Sequence, residues 1–213
     1  MSEFFIELFS EEIPANLQKS ARKNTLENFK KLFESKNISF KESFSYSVPN
    51  RLIIVFEGLP NQIIEKKDDI RGPNTKAPDK AIEGFLRSNN ISKDQIFKKE
   101  TEKGEFYFYN KPEKKFKTHD FLKENIPSVL NDIQWKKSMK WADYNLNWAR
   151  PLKSILENFK NKTLEFTFHH IESSNFTFLD KEFEDKKKIF KNFKSYSNYL
   201  KKNGVIIDHN ERK

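Results

Sequence analysis

Apolar and polar positions alternate from the start of the chain. Residues 3–9 read as a strand with Phe5 and Phe9 on one face. Ser10-Glu11-Glu12-Ile13-Pro14 then opens a helix, with Pro14 near the first helical position, where a missing N–H costs nothing. Leu17, Ala21, Leu26, Phe29, Leu32 and Phe33 form its apolar stripe to about Lys36, and Lys19, Lys23, Lys30 and Lys31 form a solvated face opposite. Residues 38–48 read as a strand through Phe40, Phe44 and Tyr46. Pro49-Asn50-Arg51 turns it, and Leu52-Ile53-Ile54-Val55-Phe56 returns, ended by Gly58-Leu59-Pro60. The unbroken apolar run of the returning arm predicts a central strand covered on both faces.

Further along, residues 68–78 carry Gly72, Pro73 and Pro78 and read as a loop. Asp79 caps a short helix holding Ala81, Ile82, Phe85 and Leu86. Residues 106–110 form a strand after a Lys103-Gly104 turn, and residues 120–131 a helix interrupted or started by Pro127. Residues 152–159 and 164–169 read as a second hairpin across Lys160-Asn161-Lys162. The Lys186–Lys188 run reads as solvated surface at a helix start. Ile189, Phe193, Tyr196 and Leu200 then repeat with helical spacing, Gly204 stands where a C-terminal cap belongs, and Val205-Ile206-Ile207 reads as a strand. The expected fold class is α+β, with mixed and antiparallel sheets packed by amphipathic helices. The expected division is a subdomain at 1–60, with its helix at 14–36 and hairpin at 39–57, and a second α+β region at 61–213.

Composition narrows the chemistry. The 213 residues contain 15% aromatics, with 22 Phe, so the chain has the means to build a core. Cysteine is absent, which excludes disulfides, thiolate metal sites and cysteine nucleophiles, and fits a reducing compartment. No apolar run approaches the roughly 18–20 residues that span a bilayer, and the acidic MSEFFIELFSEE start is unlike a signal peptide. A cytoplasmic location with no membrane partner is therefore expected. Forty Lys and Arg against 31 Asp and Glu give +9, which favours an anionic partner, although a Phe, Lys, Asn and Ile bias of the kind A+T-rich coding produces inflates that figure.

No phosphate loop or dinucleotide fingerprint occurs, and no serine–histidine–aspartate arrangement is arguable. His169-His170, placed on a strand, would point to opposite faces and share no metal. Glu11-Glu12 read as partners of a helix dipole. No catalytic, cofactor or metal residue is expected. The informative stretch is Trp135-Lys136-Lys137-Ser138-Met139-Lys140-Trp141, followed by Asn147-Trp148-Ala149-Arg150-Pro151, which holds all three tryptophans. Rings interleaved with cations suit RNA, and they suit a core or a domain or subunit interface, which the residues alone favour. The spacing of Trp135, Trp141 and Trp148 fits no single helix face, so at least one ring is expected in the core with its basic neighbours exposed.

Several segments, in order, resemble the N-terminal part of the bacterial glycyl-tRNA synthetase beta subunit. They are Phe5-Ile6-Glu7-Leu8 with Glu11-Glu12-Ile13-Pro14; Pro49-Asn50-Arg51-Leu52; Arg71-Gly72-Pro73; and Lys80-Ala81-Ile82-Glu83-Gly84-Phe85. Lys103-Gly104-Glu105, Lys137-Ser138-Met139-Lys140-Trp141 and Trp148-Ala149-Arg150-Pro151 follow, and residues 205–213 also look like the family. The sequence departs from the family pattern at Lys140, usually Arg, and Ala142, usually Gly. Residues 177–183 lack the family's Gly-His-Arg-Phe run.

The resemblance implies a noncatalytic portion of a heteromeric glycine–tRNA ligase, an aminoacyl-tRNA synthetase of class II acting in protein biosynthesis. It implies an alpha subunit that holds ATP, magnesium and glycine, and tRNA(Gly) as the partner bound here. Arg51, Arg71, Lys136, Lys137, Lys140, Arg150, Trp141 and Trp148 become the expected RNA or subunit interface. Family members continue into HD-like and anticodon-binding domains that this sequence does not contain. Their N-terminal part looks similar to the editing-region fold of the phenylalanyl enzyme's beta chain, which implies no editing activity. The alternative is a stand-alone RNA-binding or scaffolding module.

Overall fold

The computed structural model describes residues 2–65, 68–141, 143–179 and 187–212. Among them the fold is α+β, as the hydrophobic patterning predicts. The chain divides into one unit of Met1–Ile63 with Lys117–Lys213 and a second of Ile64–Phe116. The chain leaves the first unit after Ile63 and returns to it at Lys117, so residues 117–213, expected in a second region, cluster with the N-terminal ones.

The first unit is organised by β1 (Ser2–Ser10), followed by α1 (Ala15–Ser35), β2 (Glu42–Val48) and β3 (Arg51–Leu59). β3 lies antiparallel to both β1 and β2, and the turn between β2 and β3 is the two residues Pro49-Asn50. Phe4, Ile6, Leu8, Leu52, Ile54 and Phe56 share one face, and Phe5, Glu7, Phe9, Arg51, Ile53 and Val55 the other. Both faces are covered, which is why β3 reads as a continuous apolar run. On the first face α1 buries Leu17, Ala21, Thr25, Phe29 and Phe33, a strict four-residue repeat. Thr25, not Leu26, takes the middle position. Its hydroxyl donates to Ala21 O at 2.8 Å, which satisfies it in the core. Phe29 and Phe33 meet Phe56 with centroids 6.1 and 4.8 Å apart.

α1 begins after Pro14, so Glu11 and Glu12 lie outside its first turn; Glu11 instead pairs with Lys153. β2 is shorter than expected, and residues 38–40 form no strand.

The second unit contains β4 (Gln62–Glu65), whose first residues belong to the first unit, then β5 (Asp68–Asn74) and α2 (Asp79–Asn89). A single 3-10 turn at Lys93–Gln95, β6 (Ile96–Thr101), β7 (Gly104–Lys111) and β8 (Lys114–Lys117) follow. β4 pairs with β8, and the strand order of the larger sheet is β5-β7-β6. The segment read as a loop at 68–78 is therefore largely a strand. Its Gly72-Pro73 pair is accommodated because β5 is an edge strand and its register slips between Arg71 and Asn74.

The chain returns through α3 (Thr118–Asn131), in which Pro127 is internal, and β9 (Leu152–Phe159), antiparallel to β1. The expected second hairpin does not form. Lys160 and Asn161 adopt left-handed φ of 54° and 62° and turn the chain tightly, but only Phe159 and Lys162 bridge. The Leu164 N–H then donates at 2.6 Å to the buried Glu157 side chain, not to a strand partner. β10 (Thr167–Phe168) pairs instead with β11 (Ile171–Ser174), which runs parallel to β9. His169 and His170 fall in the turn between β10 and β11, not on a strand, and His169 has φ 53°. The six-stranded sheet is ordered β10-β11-β9-β1-β3-β2.

β12 (Phe176–Thr177) pairs with β13 (Lys188–Ile189), so Lys187 and Lys188 lead into a strand, not a helix; Lys186 lies outside the described residues. Ile189 is 59% exposed and is not part of the helix that follows, α4 (Phe193–Lys202). Asn192 caps α4 by accepting from Ser195 N at 2.8 Å, and Gly204 follows its C-terminus at φ 82°. Residues 205–207 form no strand: Val205 N donates to Leu200 O at 2.9 Å, and Ile207 is buried. Tyr196, Leu200 and Ile207 pack with Phe5, Ile53, Val55 and Leu156 on the second face of the sheet.

Candidate RNA or subunit interface

The tryptophan stretch is an irregular segment between α3 and β9. One antiparallel bridge closes it: Met139 N donates to Trp148 O at 2.8 Å, and Trp148 N to Met139 O at 3.2 Å. Trp148 is 1% exposed, with Trp135 at 5.1 Å and Phe168 at 5.9 Å between centroids. The buried ring pins a polar loop that has no regular hydrogen-bond ladder of its own. Trp141 is half-buried and meets His170 edge-on at 6.0 Å, while Tyr144 stacks on His170 at 3.5 Å and 8°. His170 is shifted below the usual histidine range, by partial burial first and by His169 second. It also lines a cleft of about 320 Å³ with Lys153, Ser154, Phe176 and Lys187.

Around these rings, Lys136, Lys137, Lys140 and Arg150 are exposed and make no ion pair with the described residues. Arg150 Nη1 donates to Ala149 O at 3.0 Å and lies 4.0 Å from Met139 Sδ. The structure thus brings together Lys136, Lys137, Lys140, Trp141, Trp148 and Arg150 on one segment of the first unit. Ala142, where the sequence departs from the family pattern, lies outside the described residues.

The other two sequence-derived residues are elsewhere. Arg71 is exposed on β5 of the second unit, its guanidinium 3.7 Å from the centroid of Phe106. Arg51 is 1% exposed. Its Nε donates to Glu7 Oε2 at 2.9 Å, Nη1 to Asn50 Oδ1 at 2.6 Å, and Nη2 to Leu179 O at 2.8 Å and to Phe178 O. Phe9 lies under it at 4.5 Å. Glu7 also accepts from the hydroxyls of Thr177 and Tyr196. Burial first, and the Glu7 carboxylate second, keep the Tyr196 hydroxyl protonated well above the usual phenol range. Arg51 therefore joins β1, β3, residues 177–179 and α4 from inside. Of residues 177–183, those at 180–183 lie outside the described part.

Sequence reasoning missed Glu7, although a lone carboxylate in Phe-Phe-Ile-Glu-Leu-Phe signals a buried partner. It also missed Tyr144 and His170, which meet only through tertiary packing. Among the described residues, no group of three or more His, Cys, Asp or Glu is arranged to hold a metal, and no helix is long and apolar enough to cross a membrane.

Unpaired cations set around rings fixed from below make a surface for an anionic polymer or for another protein. The family model of the glycyl-tRNA synthetase beta subunit matches residues 4–213, and the chain belongs to that family. It is 37% identical over 212 residues to the glycine–tRNA ligase beta subunits of Rickettsia canadensis (strain McKiel) and Rickettsia bellii (strain OSU 85-389). These alignments cover 100% of this chain and 32% of each relative, so the chain spans about a third of the length of the curated relatives it matches.

Proposed function

We propose that this chain is the part of a heteromeric glycine–tRNA ligase that binds tRNA(Gly) and helps join the beta subunit to an alpha subunit. The ligase charges tRNA(Gly) with glycine at the expense of ATP in the cytoplasm, and the ATP and magnesium chemistry belongs to the alpha subunit. The observation that carries the reading is the set of exposed, unpaired Lys136, Lys137, Lys140 and Arg150 around the loop anchored by Trp148. Lys and Arg bind phosphate and sugar without regard to base, which suits the body of a folded RNA. Trp141 and the Tyr144–His170 stack offer planes to unpaired bases or to side chains of a partner. Arg51 supports this role from the core, and Arg71 adds an exposed cation in the second unit.

The test is co-purification of the chain with an alpha subunit, with and without tRNA(Gly), beside a glycine-dependent ATP–pyrophosphate exchange assay. The expected result is association, strengthened or unchanged by tRNA, with exchange only when the alpha subunit is present. Exchange by the pure chain, or no association with either partner, overturns the reading.

A further inference from the structure

The three-stranded sheet of the second unit has two unlike faces. Directly opposed residues of antiparallel strands lie on the same face, so the pairs Arg71–Phe108, Phe97–Phe108 and Lys99–Phe106 place five side chains together. Every strand contributes: Arg71 from β5, Phe106 and Phe108 from β7, Phe97 and Lys99 from β6. The next residue after Arg71 is Gly72, and a Cβ built there would come within 2.9 Å of the Phe85 ring of α2.

The face that carries Arg71 is a layer of rings and cations, in which Arg71 and Phe97 are exposed and Phe108 is buried beneath them. Phe97 and Phe108 stack with centroids 6.1 Å apart and planes 29° apart. The Arg71 guanidinium lies 3.7 Å from the Phe106 centroid, and Lys99 Nζ lies 5.3 Å from that of Phe108. Phe97 is 40% exposed, on a strand whose remaining residues are Ile96 and Lys-Lys-Glu-Thr. Asp69 accepts from Lys99 at 3.3 Å and from Asn110 at 3.0 Å, which holds the lysine over the sheet and sets polar groups at the edge of the rings.

We propose that this face binds single-stranded RNA, with Phe97 and the Arg71–Phe106 stack as the planes that receive unpaired bases and Lys99 as a phosphate contact. An antiparallel sheet with ring-bearing strands is suited to splayed bases, and a guanidinium lying flat on a ring offers a further plane to stack on. Charge complementarity selects the occupant: Arg71 makes no ion pair with the described residues and sits on a ring, where an apolar protein surface would have to bury it, and Lys99, shared with Asp69, lies within reach of a phosphate beside it. This surface is separate from the tryptophan loop, and it extends the RNA-binding reading to unpaired nucleotides.

The test uses the full chain and a short labelled single-stranded oligouridylate, with a duplex of equal length as competitor. Phe97→Ala should weaken oligonucleotide binding about fivefold to a hundredfold, as loss of one stacking ring does. Phe97→Tyr should retain it, and Arg71→Gln with Lys99→Gln should weaken it with an unchanged circular dichroism spectrum. Parent-like binding by Phe97→Ala, or equal competition by the duplex, overturns the proposal. So does a folded Phe97→Ala chain that keeps oligonucleotide binding but loses the alpha subunit, because the face is then a protein contact. A Lys136, Lys137, Lys140 and Arg150 to Ala variant leaves this sheet intact, so the tryptophan-loop reading fails or stands separately.

Discussion

Two buried carboxylates carry much of the first unit's polar structure, and their surroundings give them opposite roles. Glu7 is satisfied by Arg51, Thr177 and Tyr196, three groups from three other segments of the chain. Removing one member of a buried ion pair leaves the other uncompensated, so Arg51→Ala should lower stability by about 3–5 kcal/mol. Urea unfolding measures it, and a loss near zero would mean that the pair is not closed inside the protein. Glu157 faces the other side of the sheet, where Oε1 accepts from Leu164 N and Oε2 is buried with no partner among the described residues. Burial, opposed by the hydrogen bonds from Leu164 and Glu165, pushes its carboxyl up to about 8 from the ordinary 4.5. Between those values the folded chain holds a proton that the unfolded chain has released. The contribution to stability is then fully present below about pH 4.5, falls as pH rises and is lost above about pH 8. Glu157→Gln should flatten that part of the stability–pH curve and leave the variant more stable than the parent at pH 9; an unchanged curve would contradict it.

At the level of elements, β5 shows how local chemistry and tertiary position compete. Gly72-Pro73 reads as a chain breaker, yet the strand forms because its edge position needs no ladder bond from Pro73. Gly72 does not adopt a positive φ; its lack of a side chain serves the close approach of Phe85. Gly72→Ala should therefore lower stability by about 1 kcal/mol through crowding, and by less in a Phe85→Ala background. Thermal unfolding of the two single variants and the double variant measures the coupling, and strict additivity would contradict the contact.

The elements legible in the sequence are those with a clean period. β1, α1, the β2–β3 hairpin, α3, β7 and α4 each bury one or two faces, and their apolar residues recur accordingly. β6 was invisible because Ile96 and Phe97 are its only apolar residues. The hairpin expected across residues 160–162 is absent because the Leu164 N–H goes to the buried Glu157 and β11, not residues 164–169, pairs with β9, which no periodicity reveals. At the site, the spacing required at least one tryptophan in the core without saying which, and Trp148, expected at the interface, is the ring that is buried. The stacking of Tyr144 on His170 depends on where β11 turns back toward β9, and no local signal carries that.

At the scale of the whole molecule, ion pairs among the described residues engage a minority of the 40 Lys and Arg, and one arginine, Arg51, is buried, so many exposed cations have no ion partner. Those on the tryptophan loop stand on a segment fixed by a buried indole and one strand bridge, so a partner meets them with little ordering left to do. Phosphate contacts release counterions, so binding of tRNA to this loop must weaken as salt rises. The most direct test of this account is the salt dependence of tRNA(Gly) affinity for the parent chain and for a folded Lys136, Lys137, Lys140 and Arg150 to Ala variant. The account predicts weaker binding by the variant and a log–log salt slope shallower by about one unit for each phosphate contact removed. Equal affinity and equal slope, with association to the alpha subunit also unchanged, would contradict it.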